Sequence, residues 1–94
     1  MVNIHNDQTD LFFDCILALK NREECYKFFE DICTPKEIDS ISQRIKVAKM
    51  IKEGQVYVKI TKETGASTAT ISRVRRSLDY GNDTYSMVFD RIKK

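Results

Sequence analysis

Residues 55–78 read QVYVKITKETGASTATISRVRRSL, and this stretch decides the fold. Apolar residues recur at helical spacing on both sides of Gly65, which predicts two short helices that share one small core; the row consists of Val56, Ile60, Ile71, Val74 and Leu78. Gly65 follows the predicted end of the first helix, where a sharp reversal needs a positive φ that glycine adopts without a Cβ clash. The stretch is therefore typical of a helix-turn-helix.

The second helix of this pair has a start signal and a solvent-facing stripe. Ser67 occupies the N-cap position, so this helix is expected to start at about Thr68. The side opposite the apolar row carries small residues first and cationic residues further along: Ala69, Ser72, Arg73 and Arg76. Small side chains let a helix backbone approach base edges, and arginines bind phosphates or guanine. The stripe indicates a DNA-reading helix; the alternative is a solvated, mildly basic hairpin in an unrelated bundle.

Charge is segregated along the chain. Residues 1–43 hold four Lys/Arg against nine Asp/Glu, a net of −5, whereas residues 44–78 hold nine against two, a net of +7. Residues 79–94 are balanced at three against three. The positive stretch includes the predicted reading unit and suits phosphates, so we expect the acidic first half to point away from DNA. The alternative explanation is the uneven charge that helical surfaces carry by chance.

Length and composition predict one globular, mostly helical domain over residues 1–94. The chain has 41% hydrophobic residues, one proline and three glycines. It has no apolar run of about 18 residues, and the first ten residues, MVNIHNDQTD, lack the basic and apolar regions of a signal peptide. We therefore expect a cytoplasmic protein that makes no contact with a membrane.

The cysteine and histidine residues do not form a metal-binding or catalytic pattern. Cys15, Cys25 and Cys33 are ten and eight residues apart without a CxxC pair, and His5 is the single histidine. Free thiols packed on apolar helix faces are expected. Because the sequence also lacks a nucleophile–base pair and a Gly-rich phosphate loop, we predict no enzymatic activity, no metal site and no cofactor.

Helical periodicity over the rest of the chain predicts six helices in all. Two helices at about 8–20 and 22–33 precede a third, whose start at Thr34-Pro35-Lys36-Glu37 combines an N-cap, a first-turn proline and a capping-box glutamate. The sixth helix is expected to begin near Asn82. The third is expected to run to Gly54 and to turn these residues inward: Ile38, Ile41, Ile45, Ala48 and Met50 or Ile51.

The apolar faces of the first, second and sixth helices are wide for a chain of this length, which can bury only about 60–65% of its unfolded surface alone. A homodimer held by residues of about 8–53 and 82–93 would cover them. It would also present two reading helices to successive major grooves, roughly 34 Å apart. The runner-up interpretation is a non-catalytic helical protein–protein interaction module that uses the apolar faces of the first and sixth helices.

Several of these features together resemble the Trp repressor superfamily, and in particular its YerC/YecD branch, over about residues 8–93. They are the order of the six helices, the Thr34-Pro35 start, Arg44, Gly54 and the run GASTATISR from Gly65 to Arg73. The resemblance implies an all-α, six-helix, Trp-repressor-like fold with an intertwined homodimer. It also implies a transcription regulator that binds double-stranded DNA through a helix-turn-helix in the major groove.

The resemblance also assigns DNA contacts to residues on both helices of the pair. Lys59 and Lys62 would bind phosphates, whereas residues at the front of the second helix would read base edges directly or through ordered water. Combined with the stripe, the candidate DNA-binding residues are Lys59, Lys62, Ser67, Thr68, Ala69, Thr70, Ser72, Arg73 and Arg76.

A candidate ligand pocket follows from the same resemblance. Arg44 and Arg73 match two arginines that flank the amino-acid ligand in the tryptophan repressor, and Thr34 and Ser77 match other pocket residues. In that repressor a glycine after the second arginine leaves space for the indole, but here the residue is Val74. Overpacking of this kind costs about 1–3 kcal/mol or displaces the ligand. We therefore expect no tight tryptophan binding, so that the two arginines serve DNA phosphates, another anion or an acidic side chain.

Overall fold

The computed structural model describes residues 3–93, which contain six α-helices and no β-strand. The helices are α1 (Asp7–Leu17), α2 (Arg22–Ile32), α3 (Pro35–Lys52), α4 (Tyr57–Thr64), α5 (Thr68–Tyr80) and α6 (Thr84–Ile92). The predicted all-α architecture with six helices is confirmed. None of the described helices combines the length and apolar character that a membrane span requires. The chain divides into two compact units, one up to Pro35 and one from Lys36 onward.

In the first unit, asparagine side chains cap both helices. Asn6 Oδ1 accepts from the N–H of Thr9 at 2.8 Å, and Asn21 Oδ1 accepts from the N–H of Glu24 at 2.9 Å. The Glu24 carboxylate accepts in turn from the N–H of Lys20 at 2.8 Å. These bonds satisfy backbone donors that a helix start leaves without partners. Asn21 and Glu24 thus start α2 as predicted, whereas α1 ends at Leu17, earlier than expected.

The described part of the first unit has aromatic contacts but no buried core. Phe12, Phe28 and Phe29 form edge-to-face pairs with ring centroids 5.6 and 6.4 Å apart. None of the described residues up to Pro35 is buried, and Leu17 is 82% exposed. The prediction that the cysteines pack in a core is therefore wrong for Cys15, which is exposed.

In the second unit, one buried cluster joins α3, α4 and α5. Its members are Val47, Ala48, Met50, Ile51, Ile60, Ala66, Ile71 and Val74, with Leu78, Tyr85 and Phe89 packed against them. The inward positions predicted for the second half of α3 and for α5 are confirmed, and Val47 is a core residue that the prediction omitted. Because α5 buries Ile71 and Val74 in this cluster, its opposite side faces solvent.

Four residues predicted to face this core do not belong to it. Ile38 is half-buried but is not packed against the cluster. Val56 is 66% exposed, because it is the N-cap of α4 and its backbone is extended, so it does not share the helical phase of Ile60. Ile41 and Ile45 are each 46% exposed, whereas Val47 is fully buried. The core of this unit therefore lies along the second half of α3.

A residue with positive φ lies just after the end of α3, and another lies at the start of α6. Gly54, with φ 78°, follows the end of α3, and its N–H donates to the carbonyl of Ile51 at 2.9 Å. This left-handed residue ends the helix at Lys52, two residues earlier than predicted. Asp83, with φ 59°, is the N-cap of α6, which begins at Thr84, two residues after Asn82.

Candidate nucleic-acid interface

The turn between α4 and α5 is formed by Gly65 and its two neighbours. Gly65 has φ 74° and ψ 5°, which confirms the predicted positive φ, and its N–H donates to the carbonyl of Thr61 at 2.8 Å. The hydroxyl of Thr64 donates to the carbonyl of Ile60 at 2.7 Å and accepts from the N–H of Ala66 at 3.1 Å. These bonds define a short, hydrogen-bonded reversal of the chain.

The start of α5 is organised by two hydroxyl groups. Ser67 Oγ accepts from the N–H of Thr70 and donates to Thr70 Oγ1, each at 3.1 Å. The predicted Ser67 cap and the predicted start at Thr68 are thereby confirmed. Because Thr70 is half-buried and its hydroxyl contacts Ser67, the exposed part of this leading edge is formed by Thr68 and Ala69.

The solvent side of the two helices carries cations without acidic partners. Lys59 and Lys62 on α4, like Arg73 and Arg76 on α5, are exposed. Within residues 3–93 none of the four has a carboxylate within 4.0 Å, whereas Arg75 pairs with Asp79 at 3.3 Å. An exposed cation without a carboxylate neighbour keeps its charge available for an anion. Ser72 is exposed on the same stripe of α5.

Arg44 and Arg73 line one small pocket between α3 and α5. Its volume is about 90 Å³, and its other walls are Ser40, Gln43, Thr70 and Val74. Ligand pockets usually measure about 300–1,000 Å³, so this one is too small for an amino acid as large as tryptophan. Val74 is 3% exposed and occupies the space at one wall.

The other two residues proposed for the ligand pocket, Thr34 and Ser77, are not among the residues that line it. Ser77 is exposed one turn after Arg73 on α5. Thr34 precedes α3 and belongs to the first unit. Among residues 3–93, no group of three or more His, Cys, Asp or Glu side chains is placed to hold a metal ion.

One contact at this site was missed by sequence reasoning. Gln43 on α3 donates through Nε2 to the carbonyl of Thr64, at the end of α4, over 3.0 Å. Gln43 lies four and seven positions before the buried Val47 and Met50, so it shares their helix face. A polar side chain on a buried face requires a partner, and this was the available signal. The sequence could not identify Thr64 as that partner.

Comparison with known proteins places the whole helical region in one family. A family model described as Trp repressor protein matches residues 7–93. The uncharacterized protein YerC of Bacillus subtilis strain 168 is 56% identical over 91 residues, which are 97% of this chain and 88% of YerC. The expected relation to the YerC branch is thereby confirmed.

Two solved structures share the fold as well as the sequence. A candidate Trp repressor from Staphylococcus aureus superposes with a TM-score of 0.92 at 60% identity, covering 95% of this chain and 89% of that one. A TrpR-like protein from Eubacterium eligens ATCC 27750 gives a TM-score of 0.90 at 55% identity, with coverage of 93% and 90%. The expected Trp-repressor-like fold is confirmed, and the chain belongs to the Trp repressor family.

Proposed function

We propose that the protein is a sequence-specific DNA-binding transcription regulator that reads the major groove with α5 and has no catalytic role. The observation that carries this proposal is the leading edge of α5. Thr68 and Ala69 are exposed there, and Ala69 lies on the side of the helix opposite the buried Ile71 and Val74. A small, uncharged edge on a rigidly packed helix can approach base edges closely. Membership of the Trp repressor family supports the same function.

The exposed cations supply the second part of the proposed interface. Lys59 and Lys62 on α4 bind DNA phosphates, and so do Arg73 and Arg76 on α5. The cations therefore flank the small edge. Such contacts fix the register of a protein on the duplex but carry no sequence information. Thr68, Ala69 and Ser72 then contact the base edges. Thr70 also does so, in the orientation that its hydrogen bonds with Ser67 give it.

The regulator acts as a homodimer in this proposal. No described residue of the first unit is buried, and Leu11 and Leu17 on α1 are 65% and 82% exposed. On α6, Val88 and Ile92 are 45% and 67% exposed. A second copy that covers these apolar residues removes them from water. Burial of apolar surface stabilises the dimer by roughly 25 cal/mol per Å². It also supplies a second α5 for the next major groove.

Tryptophan is not the effector of the proposed regulator. The pocket that contains Arg44 and Arg73 measures about 90 Å³, and the buried Val74 forms one of its walls. An indole would have to displace Val74 from the core cluster, which overpacks a close-packed region. The two arginines remain available to a smaller anion or to a DNA phosphate.

Selection of bound fragments from random duplex DNA, followed by salt titration, tests the function. We expect an enriched sequence whose affinity falls with salt at a log–log slope of about −0.9 per neutralised phosphate. A helical interaction module that docks through the apolar residues of α1 would instead bind a protein partner with little salt dependence. Failure of the purified protein to bind duplex DNA in dilute buffer would contradict the proposal.

A further inference from the structure

A side chain of α3 holds the turn of the helix-turn-helix. Gln43 Nε2 donates to the carbonyl oxygen of Thr64 at 3.0 Å, in a partly buried hydrogen bond between residues 21 positions apart. Thr64 is the last residue of α4, and carbonyls in the last turn of a helix have no partner inside that helix. Gln43 supplies the donor that α4 lacks.

Three other polar groups of the turn form local hydrogen bonds. The N–H of Gly65 donates to Thr61, and the Thr64 hydroxyl joins the carbonyl of Ile60 to the N–H of Ala66. These bonds fix the internal shape of the turn. They do not fix where the turn lies on α3, whereas the Gln43 bond joins the two.

Gln43 also lies beside the front of α5. It lines the same small pocket as Thr70 and Arg73, so one side chain contacts the end of α4 and borders the start of the reading helix. The buried Val47 and Ile71 belong to the cluster that packs α5 on α3. Apolar packing is non-directional, while a hydrogen bond weakens steeply when its angle changes.

We infer that Gln43 is a positioning residue for DNA reading, which sets the angle of α5 on α3 without contacting DNA itself. The inference rests on the proposed function. Recognition groups must be held within about 0.5 Å and 10–20° of their productive geometry, by residues behind those that touch the ligand. The directional Gln43–Thr64 bond narrows the range of α5 orientations that the apolar cluster allows.

Three variants of the full chain separate this role from a general effect on folding. Gln43→Met removes the donor while it preserves side-chain length and zero charge. Gln43→Lys restores a donor at the same place and serves as the rescue. Its added positive charge should strengthen binding to both duplexes alike, so the ratio of the two affinities remains the readout. Gln55→Met is the matched control, because Gln55 is also half-buried but contacts α3 through its backbone N–H. Affinities are measured for the selected DNA and for an unrelated duplex, at a temperature where circular dichroism shows every variant folded.

The informative quantity is the ratio of the two affinities. We expect Gln43→Met to lower this ratio roughly five- to tenfold, the worth of one hydrogen bond, with an unchanged salt slope because no phosphate contact is lost. Gln43→Lys and Gln55→Met are expected to keep the ratio of the wild type. A residue that merely supports folding would leave the ratio unchanged in Gln43→Met, and this result would overturn the inference.

Amide hydrogen exchange gives a readout that does not require DNA. The N–H groups of Gly65 and Ala66 should exchange faster in Gln43→Met than in Gln55→Met, and an equal rate in both would overturn the inference. If the wild type discriminates between DNA sequences and Gln43→Met discriminates equally well, the role of Gln43 is contradicted but the proposed function is not. A wild type that binds no duplex at all would remove the proposed function together with this inference.

Discussion

At the scale of single residues, Ala69 and Lys62 separate base reading from phosphate binding. Both are exposed, Ala69 on the leading edge of α5 and Lys62 on α4 without an acidic partner in the described part of the chain. Ala69→Asp places a carboxylate against the groove, so we expect a loss of sequence discrimination and a fall in DNA affinity of tenfold or more, which corresponds to about 1.4 kcal/mol.

Lys62→Ala should weaken binding to all duplexes similarly and flatten the salt slope by about one unit.

Fluorescence anisotropy with the selected and the unrelated duplex measures both effects. Thr70→Ala serves as an intermediate case, since Thr70 is half-buried and its hydroxyl contacts Ser67. It should reduce discrimination less than Ala69→Asp. Unchanged DNA affinity in Ala69→Asp would show that α5 does not enter the groove.

Val74 decides whether a large ligand fits beside Arg44 and Arg73. It is 3% exposed, and the pocket beside it measures about 90 Å³. We therefore expect no calorimetric signal for free tryptophan at micromolar concentration. Val74→Gly should enlarge the pocket and destabilise the fold, because truncation of a buried side chain costs about 2–5 kcal/mol and glycine weakens a helix interior. Micromolar tryptophan affinity in the wild type would contradict the size argument.

At the scale of helices and turns, Gly65 tests the backbone of the reading unit. Its φ is 74°, and nothing lies within 4 Å of an added Cβ, so an alanine would be strained by backbone conformation alone. Gly65→Ala should lower the free energy of unfolding by about 1–2 kcal/mol, as measured by urea denaturation at one fixed protein concentration. Gly65→Asn should lower the free energy of unfolding less than Gly65→Ala does, because asparagine adopts positive φ more readily than alanine. Equal losses in the two variants would argue against this cause.

The same scale shows which parts of the fold could be predicted from sequence. The Gly65 turn, the Ser67 cap and the start of α3 at Pro35 depend on residues within one or two turns, so local rules located them. The outward positions of Ile41 and Ile45 depend on which helices pack along α3, and periodicity alone does not contain that information. The contact from Gln43 to Thr64 crosses 21 positions and was missed for the same reason.

At the scale of the whole molecule, the distribution of apolar surface indicates what a single chain lacks. The second unit buries eight hydrophobic residues in one cluster, while the described part of the first unit buries none. Two short helices without a core are marginal on their own, since helix stability in proteins comes mainly from the packing of an apolar face. The sequence predicted these wide faces correctly, but it placed Cys15 in a core, whereas Cys15 is exposed in the single chain.

This dependence leads to a prediction about assembly. Sedimentation at micromolar concentration should give twice the 11.0 kDa mass of the chain. Leu11→Asp, which places a charge on the exposed apolar face of α1, should shift the protein toward a single chain, because burying an unpaired carboxylate in the interface is costly. Gln8→Glu adds the same charge at an exposed polar position of α1 and should leave the mass unchanged. A wild-type monomer would remove the homodimer and the paired α5 helices, and DNA binding would then have to depend on one reading helix.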